Sequence, residues 1–433
     1  MSAPGLSSTQ YADSTSPAVR TAAELTHALR GLPFASSGEI PVRPLVVSRR
    51  RMHARFDAAR RFVSLISRTC QAAGSPEHLL ELLGADPSLY GPFRPAAYEW
   101  TWADCMSRSD AVLSGGVPRF LECNIGGAIG GVVSMHVLTR HHLARLGERY
   151  AATDPLDVRA EQFADICLSL GREPAAAVLG TLREDNVGDA RYFELEIAHL
   201  RRRGLDAAFF EPEDLLDGLG LPGRARYPVG LRHFLPVNWR DWGIDSTPAR
   251  RAAEEGVLML APDSAFLLQN KKVLAWMSEG RPWFDAADRA FLDRHLPWTR
   301  VVADAPVYYR GQRADLPRIL LSRRDDMVLK PADGYGGLGI VVGRATSAAD
   351  WERAVDDALN GHWIAQEYVE PDAEPMEFVL PSGEAVTRTV PAVHGLLLMS
   401  GREAGCLVRQ SPGTSTVLNA RQGASLNIAV HPR

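Results

Sequence analysis

The spacing of hydrophobic positions changes along this chain, and the first part has the spacing of helices. Over residues 21–89 apolar residues recur every three or four positions, most clearly in MHARFDAARRFVSLISRTCQAA, where Phe56, Phe62, Val63 and Ile66 fall near one helix face. This pattern predicts a helical N-terminal section. Residues 1–20, in contrast, are rich in Ser, Thr, Pro and Ala and have few large apolar side chains, which predicts a disordered tail.

The middle of the chain has a different pattern, in which short apolar runs surround one amphipathic segment. AAAVLGTL, AAFFEPEDL and PVGLRHFLPV have the length and composition of strands, and ARYFELEIAHLRRRG has the period of a helix. The order strand, helix, strand, strand predicts a small open α/β unit, to which we give the bounds 166–250. The charges of Glu194 and Glu196 in its helix are expected to be solvated rather than bound to a substrate.

A third pattern begins near residue 251 and continues to the end of the chain. GVLMLAP, MVLKP and WIAQEYV are predicted strands, and SAADWERAVDDALNG is a predicted helix. Together with a further helix that starts near Lys271, they predict a second region of mixed helices and strands over residues 251–433. The helical section and the segment that follows it, residues 21–165, complete the division of the chain.

Composition and charge exclude several classes of protein. The 433 residues include 48 Lys and Arg against 52 Asp and Glu, and this net charge of −4 argues against a nucleic-acid partner. The 5 cysteines form no C-x-x-C pair, which argues against a disulfide framework and a cysteine zinc site. The chain shows neither a secretory signal nor an apolar stretch of about 20 residues. We therefore expect a soluble cytoplasmic protein without a membrane partner.

A glycine-rich loop is the first candidate for chemistry. MVLKPADGYGGLGIVVG places Lys330 at the end of a strand and Gly334, Gly336, Gly337 and Gly339 directly after it. Glycine allows close backbone approach and positive φ, so the N–H groups of such a loop can surround phosphates beside the lysine charge. The order differs from that of a P-loop, in which Lys follows the glycines. Taken alone, the loop is equally well explained as a plain glycine-rich hairpin.

Two further features of this region suit a nucleotide. Glu367, near the end of a predicted strand, can accept a hydrogen bond from an adenine amino group, and the backbone beside it can contact the ring edge. Lys271 in FLLQNKKVLAWM supplies a second cation, with Lys272 as its rival. The candidate adenine-binding residues at the strand end are Gln366, Glu367, Tyr368 and Val369.

A predicted β-hairpin upstream carries the candidate metal ligands. In SRSDAVLSGGVPRFLECNIGG two segments with apolar centres flank the sequence SGG, which is typical of a hairpin turn. If the loop is centred on Gly116, facing residues have numbers that sum to 232, so Asp110 faces Glu122 and Arg108 faces Asn124. Because side chains alternate along a strand, all four then share one face.

Two carboxylates directly opposite each other destabilise a hairpin unless a cation lies between them. The oxygen atoms of Asp110, Glu122 and Asn124 suit Mg²⁺, which binds carboxylates together with substrate phosphates. Arg108 on the same face is placed to stabilise the charge of an acyl phosphate or a tetrahedral oxyanion. The alternative is an ordinary hairpin whose acidic groups face solvent.

The order of these pieces resembles that of a known superfamily. The order of motifs in this chain is similar to that in the circularly permuted ATP-grasp ligases. It is Arg-x-Asp, eleven residues, Glu-x-Asn, then the α/β unit, the lysines, the glycine loop and the adenine strand. Glutathionylspermidine synthetase and, more distantly, eukaryotic glutathione synthetase have this order. The resemblance covers about residues 95–370. Two departures are the absence of a basic residue in GYGGLG and the run IGGAIGG in place of an Asp-Thr-Pro type run.

The resemblance implies an α+β fold: a circularly permuted ATP-grasp with a small α/β unit inserted before the ATP-binding lobes. It implies that Arg108 and Lys330 are catalytic and that Asp110, Glu122 and Asn124 bind Mg²⁺. It also implies that ATP is bound by Lys271, Lys330, Gly334, Gly336, Gly337, Gly339 and residues 366–369.

The activity that the resemblance implies is ATP-dependent ligation of a small-molecule carboxylate to an amine, such as an amino acid or peptide. The reaction would pass through an acyl phosphate and release ADP, in peptide or specialised-metabolite biosynthesis. Two alternatives are a phosphotransferase on the same scaffold and a nucleotide-binding protein without ligase activity.

Two segments remain as candidates for substrate contacts. The polar C-terminal segment CLVRQSPGTSTVLNARQGA contains Arg409, Ser411 and Asn419 and is long enough to return to an active site. The run IGGAIGG can form a backbone surface around a substrate carboxylate or simply allow a turn to pack tightly.

Overall fold

The computed structural model describes residues 17–33, 38–183, 187, 189–410 and 423–433. Of the predicted tail, residues 1–16 lie outside this part of the chain. The last four residues of that prediction are wrong, because a helix already begins at Pro17. Its buried residues include Val19 and Leu25, whose apolar side chains hold this first helix against the rest of the chain.

Helices are found in every region of the chain. In chain order they are α1 (Pro17–Ala28), α2 (Arg49–Gln71), α3 (Pro76–Leu83), α4 (Ala96–Trp102), α5 (Val132–Leu146), α6 (Pro155–Ser169), α7 (Arg191–Arg202), α8 (Leu215–Leu219), α9 (Pro236–Asp241), α10 (Thr247–Glu254), α11 (Asp263–Leu268), α12 (Lys272–Glu279), α13 (Ala286–His295), α14 (Leu316–Ser322) and α15 (Ala348–Leu359). Within the described ranges, no helix is both long and apolar enough to cross a membrane.

The strands are mostly short and are spread over the whole chain. In chain order they are β1 (Ile40–Pro41), β2 (Leu45–Val46), β3 (Met106–Ser114), β4 (Val117–Ile125), β5 (Tyr150–Ala151), β6 (Ala175–Leu179), β7 (Asp206–Phe210), β8 (Val229–Arg232), β9 (Leu258–Leu260), β10 (Thr299–Val301), β11 (Pro306–Tyr309), β12 (Gln312–Asp315), β13 (Met327–Pro331), β14 (Val341–Val342), β15 (Trp363–Glu367), β16 (Ala373–Val379), β17 (Ala385–Met399), β18 (Arg402–Gln410) and β19 (Ser425–Pro432).

The N-terminal section is helical, as predicted, except for two short strands. Phe56, Phe62, Val63 and Ile66 of α2 are all buried, which confirms that they share one apolar face. This face packs on the predicted hairpin, where the rings of Phe62 and Phe120 stack with centroids 4.3 Å apart. Strands β1 and β2 interrupt the helical section because they pair with β16 and β19 of a large sheet.

The large sheet joins the hairpin to the C-terminal strands. In the described residues its order is β1-β16-β17-β18-β19-β2, with β3 and β4 attached to β17 and β5 attached to β19. Strand β17 is long enough to pair with β16 along its first half and with both β3 and β18 along its second half. The hairpin and β18 therefore lie on either side of β17.

A second, antiparallel sheet carries the predicted lysine strand and adenine strand. Its order is β10-β15-β13-β14, and Val328 on β13 pairs with Gln366 on β15. Helices α14 and α15 pack on it, with Trp351 of α15 fully buried. The strands MVLKP and WIAQEYV and the helix SAADWERAVDDALNG are thus confirmed.

A third sheet confirms the α/β unit but changes its limits. Strands β6, β7 and β8 and helix α7 occur in the predicted order, and the sheet is parallel with the order β7-β6-β8-β9. Strand β9, which comes from GVLMLAP, pairs with β8 through Val229 and Leu258. The predicted boundary at residue 250 is therefore wrong, since the unit extends to β9. The sequence predicted the strand GVLMLAP but not that it pairs with β8.

Helix α7 differs from the prediction in its charged face. Glu194 is exposed, as expected, but Glu196 is fully buried and forms an ion pair with Arg159 of α6. A buried charge of this kind is strongly dependent on its partner, because removing one member leaves the other without compensation. The pair joins α6 to α7 and is structural.

We therefore expect Glu196→Leu to lower the free energy of unfolding by about 3–5 kcal/mol, because Arg159 stays buried without a carboxylate. Urea denaturation measures this value. The double variant Arg159→Met/Glu196→Leu should recover much of the loss. As a control, Asp206→Ala breaks the exposed ion pair with Arg226 and should have little effect. A loss from Glu196→Leu no larger than that control would contradict the prediction.

Candidate functional site

The hairpin places the four predicted residues together. Arg108 pairs with Asn124, and Asp110 pairs with Glu122, as the sequence predicted. The turn, however, has two residues, Gly115 and Gly116, whose φ angles of 59° and 76° suit a tight hairpin turn.

A bulge restores the predicted pairing. Next to the turn Ser114 pairs with Val117, so facing numbers sum to 231 and not 232. Between the pairs Ala111–Phe120 and Asp110–Glu122 the register shifts by one residue. Such a bulge adds one residue to a strand and turns the side chains that follow it. It is the bulge that brings Asp110 opposite Glu122.

The carboxylate of Asp110 is the centre of a buried ionic cluster. Its Oδ1 accepts a hydrogen bond from Arg108 Nε at 3.0 Å, and its Oδ2 accepts from Arg108 Nη2 at 3.2 Å and Asn124 Nδ2 at 2.9 Å. Arg409 Nη2 lies 2.8 Å from Oδ2. Burial opposes ionisation of this carboxyl, but Arg108 and Arg409 outweigh burial and hold the pKa of Asp110 below its usual range.

Gly395 makes room for this cluster, and sequence reasoning missed it. Gly395 on β17 pairs with Asp110, and a Cβ atom there would lie 2.8 Å from Arg108 Cδ and 3.1 Å from Asp110 Oδ1. Any larger residue would displace the ion pair. The signal in the sequence was a glycine inside the apolar strand VHGLLLM, because such a glycine often marks a close approach.

Lys330 projects from β13 toward the hairpin. Its Nζ donates to Gln366 Oε1 at 2.7 Å and to the carbonyl oxygen of Leu121 at 3.1 Å. Gln366 Nε2 in turn donates to Thr299 Oγ1 at 3.1 Å, which fixes the amide. Burial lowers the pKa of Lys330 to about 8, against the opposing effect of Glu122. Gln366, which the sequence assigned to adenine, therefore orients this lysine.

The structure separates the two neighbouring lysines. Lys271 Nζ lies 3.6 Å from Glu122 Oε2 and donates to the carbonyl oxygen of Gly334. Lys272 Nζ donates to the carbonyl oxygen of Leu83 at 2.7 Å and lies 3.0 Å from His362 Nδ1. Only the first of the two lysines reaches the hairpin.

The glycine loop connects the lysine strand with the α/β unit. Gly336, Gly337 and Gly339 have φ angles of 64°, 74° and 72°, a conformation that glycine adopts without strain. Beside them, Tyr335 Oη donates to Asn238 Oδ1 of α9 at 2.6 Å. The loop therefore contacts the α/β unit at one end and Lys271 at Gly334.

A large cleft, of about 1190 Å³ when the space open to solvent is included, lies between the hairpin and the lysine sheet. The candidate adenine residues 366–369 line it, and so do Asp110, Glu122, Lys330 and Gly337. The carboxylate of Glu367 differs from the expectation, since its Oε1 accepts from Tyr309 Oη at 3.1 Å and Arg310 Nη2 at 2.7 Å.

A second pocket, here called the hairpin pocket, shares lining residues with the large cleft and encloses about 810 Å³ when the space open to solvent is included. Glu122 and Arg409 line both cavities, and Arg108 and Asn124 line the hairpin pocket. Tyr335 and Gly336 of the glycine loop border the hairpin pocket, whereas Gly337 borders the large cleft. The loop thus spans both cavities.

The run IGGAIGG lines a pocket and packs tightly, and its contact with a substrate carboxylate stays a prediction. Its backbone lines the hairpin pocket at Gly126, Gly130 and Gly131. Gly127 packs against the α/β unit so closely that a Cβ atom would lie 1.9 Å from the carbonyl oxygen of Arg232. The run therefore shapes the pocket and ties it to the carboxyl end of β8.

The C-terminal candidates are placed only in part. Arg409 is buried in the ionic cluster, and within the described ranges its Nε has no hydrogen-bond partner. Ser411 and Asn419 lie outside the described residues. Arg409 is therefore a member of the hairpin site.

The hairpin has a donor set that fits Mg²⁺. Among the described residues no three His, Cys, Asp or Glu residues form a metal-binding cluster, so a metal would depend on the asparagine as well. Asp110 Oδ1 accepts one described hydrogen bond, from Arg108, and a carboxylate oxygen has lone pairs for about two. Glu122, which lines both cavities, and Asn124, which lines the hairpin pocket, add further oxygen atoms, and all-oxygen sites completed by phosphates suit Mg²⁺.

Comparisons with known proteins support the fold. No family model and no curated protein matches the sequence, but 54 chains of solved structures match the structure. A glutathione synthetase-like effector of Globodera pallida, in its apo form, is 13% identical with a TM-score of 0.52 over 90% of each chain. A protein provisionally described as a γ-glutamylcysteine synthetase of Methylobacillus flagellatus is 13% identical with a TM-score of 0.41, over 85% of this chain and 87% of that one. The likeness to the effector shows that the chain has a glutathione synthetase-like fold of mixed helices and sheets.

Proposed function

We propose that this protein is an ATP-dependent, ADP-forming ligase that joins a small-molecule carboxylate to an amine through an acyl phosphate. The observation that carries the proposal is the meeting of two cavities at Glu122 and Arg409, with Lys271 and Lys330 at the same place. Such a junction suits transfer of a phosphoryl group from a nucleotide in one cavity to an acid in the other. We propose a circularly permuted ATP-grasp scaffold for it.

The large cleft is the proposed nucleotide site. Its walls include the apolar side chains of Val112, Val328 and Val342, which suit a purine ring. The carboxylate of Glu367 is bound by Tyr309 and Arg310, and the N–H groups of Glu367 and Tyr368 already donate to backbone carbonyl oxygens. The backbone of Val369 and the carbonyl groups beside it are therefore the proposed contact for the adenine edge. The phosphates would then extend toward Lys330.

The phosphate end of the proposed nucleotide site is formed by positive charges and glycine N–H groups. Lys330 and Lys271 approach it from β13 and from the start of α12, and the glycine loop covers it. We propose that Asp110, Glu122 and Asn124 hold Mg²⁺ at this end. When bound, the ion would neutralise phosphate charge.

Arg108 and Arg409 are the residues that we propose to contact the carboxylic acid substrate. Asp110 fixes both guanidinium groups, and Arg108 Nη1 also donates to the carbonyl oxygen of Gly130 in the pocket wall. Held in this way, they can stabilise negative charge that develops on the transferred phosphoryl group and on the acyl oxygen without reorganisation.

The proposed bond changes balance without a further reactant. An oxygen of the carboxylate forms a bond to the γ-phosphorus as the bond to the β-γ bridging oxygen breaks and ADP leaves. The amine nitrogen then bonds to the acyl carbon, the acyl carbon–oxygen bond breaks with its electrons on phosphate, and the nitrogen loses a proton. Phosphate and an amide are the products.

The first test uses hydroxylamine as a general amine. We expect that protein, Mg·ATP, hydroxylamine and a pool of carboxylic acids give a hydroxamate together with ADP and phosphate. Mass spectrometry and nucleotide chromatography detect all three products. A phosphorylated product without hydroxamate would favour a phosphotransferase. Formation of AMP in place of ADP would exclude an acyl phosphate. If no nucleotide is consumed, the ligase proposal is contradicted and a nucleotide-binding protein without ligase activity is favoured.

The two adjacent lysines provide a matched pair of variants. Lys271→Met should weaken ADP binding by about 10- to 100-fold, because a charge-assisted hydrogen bond to phosphate is worth about 1.5–3 kcal/mol. Lys272→Met should leave binding unchanged, since its ammonium group is bound to Leu83 and His362. Isothermal titration of both variants decides the assignment; equal losses would contradict it.

The metal assignment is tested through Mg²⁺ dependence. Glu122→Gln keeps the size of the side chain but removes its charge, so the Mg²⁺ concentration for half-maximal turnover should rise by about 10-fold or more. Glu194→Gln, on the exposed face of α7, is the control and should titrate like the wild type. An unchanged Mg²⁺ requirement in Glu122→Gln would exclude this residue as a ligand.

A further inference from the structure

We propose that the hairpin pocket binds a carboxylic acid whose remaining part is uncharged and mainly apolar, and not a zwitterionic amino acid or a charged peptide. This inference rests on the proposed function, because it names the class of acid that the ligase would activate. It depends on which groups line the pocket and on where the charges lie.

The position of the pocket makes it the acid site. It adjoins Arg108 and shares Glu122 and Arg409 with the large cleft, so its contents lie across the ionic cluster from a nucleotide. The buried Nε of Arg409 has no partner among the described residues and can donate to an anion at this point. A carboxylate at this end of the pocket would meet two guanidinium groups.

The rest of the pocket is mainly apolar. Its wall consists of aliphatic and aromatic side chains from the hairpin end, the α/β unit, α11 and the C-terminal strands, together with glycine backbone. The apolar side chains that face a bound acid are Ile125, Ile129, Leu235, Phe266, Leu407 and Leu426. Burying an apolar substrate against them is favourable because it removes hydrocarbon from water.

The charges of the pocket leave no partner for an ammonium group. Among its described lining residues the charged side chains are Arg108, Glu122 and Arg409, and all three belong to the end that carries the ionic cluster. Glu122 already lies beside Lys271 and is the proposed metal ligand. The stretch 411–422, outside the described residues, contains no Asp or Glu.

An unpaired charge buried in an apolar pocket is costly. An α-ammonium group on the acid would therefore be rejected. The neutral polar side chains at the border of the pocket, Gln269 and Tyr335, permit a hydroxyl or amide group on the acid but not a charge.

The first experiment compares acids that differ only in an α-ammonium group. Isovalerate is compared with valine, and 3-phenylpropionate with phenylalanine, using hydroxamate formation with Mg·ATP and hydroxylamine. We expect kcat/KM to be higher by about 10-fold or more for the two acids without the ammonium group, because rejection of an unpaired polar group reaches this size. Preference for valine and phenylalanine would overturn the proposal and leave the ligase activity established.

A binding measurement separates this proposal from the proposed function. Calorimetric titration of isovalerate and 3-phenylpropionate into protein saturated with Mg·ADP should give heat, whereas valine and phenylalanine should not. Binding without any ADP formation from ATP would support the pocket and contradict the ligase. No binding of either uncharged acid would overturn the pocket proposal, whatever the nucleotide does.

Leu235 offers a pair of variants that changes charge at constant size. It lines the pocket at the start of α9, and because Asn and Asp have the same size, any disturbance of the fold is common to both variants and cancels in their comparison. Relative to Leu235→Asn, Leu235→Asp should lower kcat/KM for isovalerate and raise it for valine, with a combined change in preference of about 10-fold or more. The same preference in both variants would overturn the proposal.

Discussion

The buried carboxylate of Asp110 is the interaction on which the rest of the site depends. It accepts hydrogen bonds from Arg108 on its own strand, from Asn124 across the hairpin and from Arg409 on β18. Charges out of water are tolerated only when they are paired and hydrogen-bonded, so these groups stabilise one another as a unit. Because Gly395 has no side chain, the cluster can lie directly against β17.

This cluster also explains why two cavities meet where they do. Glu122 and Arg409 line both cavities, the large cleft is also lined by Val328 and Lys330 of the lysine sheet, and the hairpin pocket is also lined by Arg108 and by residues 125–131. The glycine loop borders both cavities, and Tyr335 connects it to Asn238 of the α/β unit. In the proposed transfer reaction the two reactants would meet at these shared charged groups.

Local pattern was enough to predict much of this arrangement. The alternation of side chains and the glycine pair at the turn placed Arg108 and Asp110 on one face with Glu122 and Asn124, and the structure has these pairs. The sequence likewise predicted the apolar face of α2 and the order of strands and helix in the α/β unit. Both depend on residues that are close together in the sequence. The likeness to the glutathione synthetase-like effector agrees with the expected fold at the level of a mixed helix and sheet architecture, while the circular permutation stays a proposal.

The partners of the side chains, in contrast, depend on contacts between segments that are distant in the sequence. Two adjacent lysines are equivalent in sequence, but the start of α12 directs Lys271 to the hairpin and Lys272 to Leu83. The carboxylate of Glu367 and the buried Glu196 found partners, Arg310 and Arg159, that no local pattern could indicate. The sequence by itself determined which residue types each helix and strand contains and which face of that element they occupy. Only the tertiary structure decided their partners, because pairing of charges and closeness of backbones depend on how separate sheets pack.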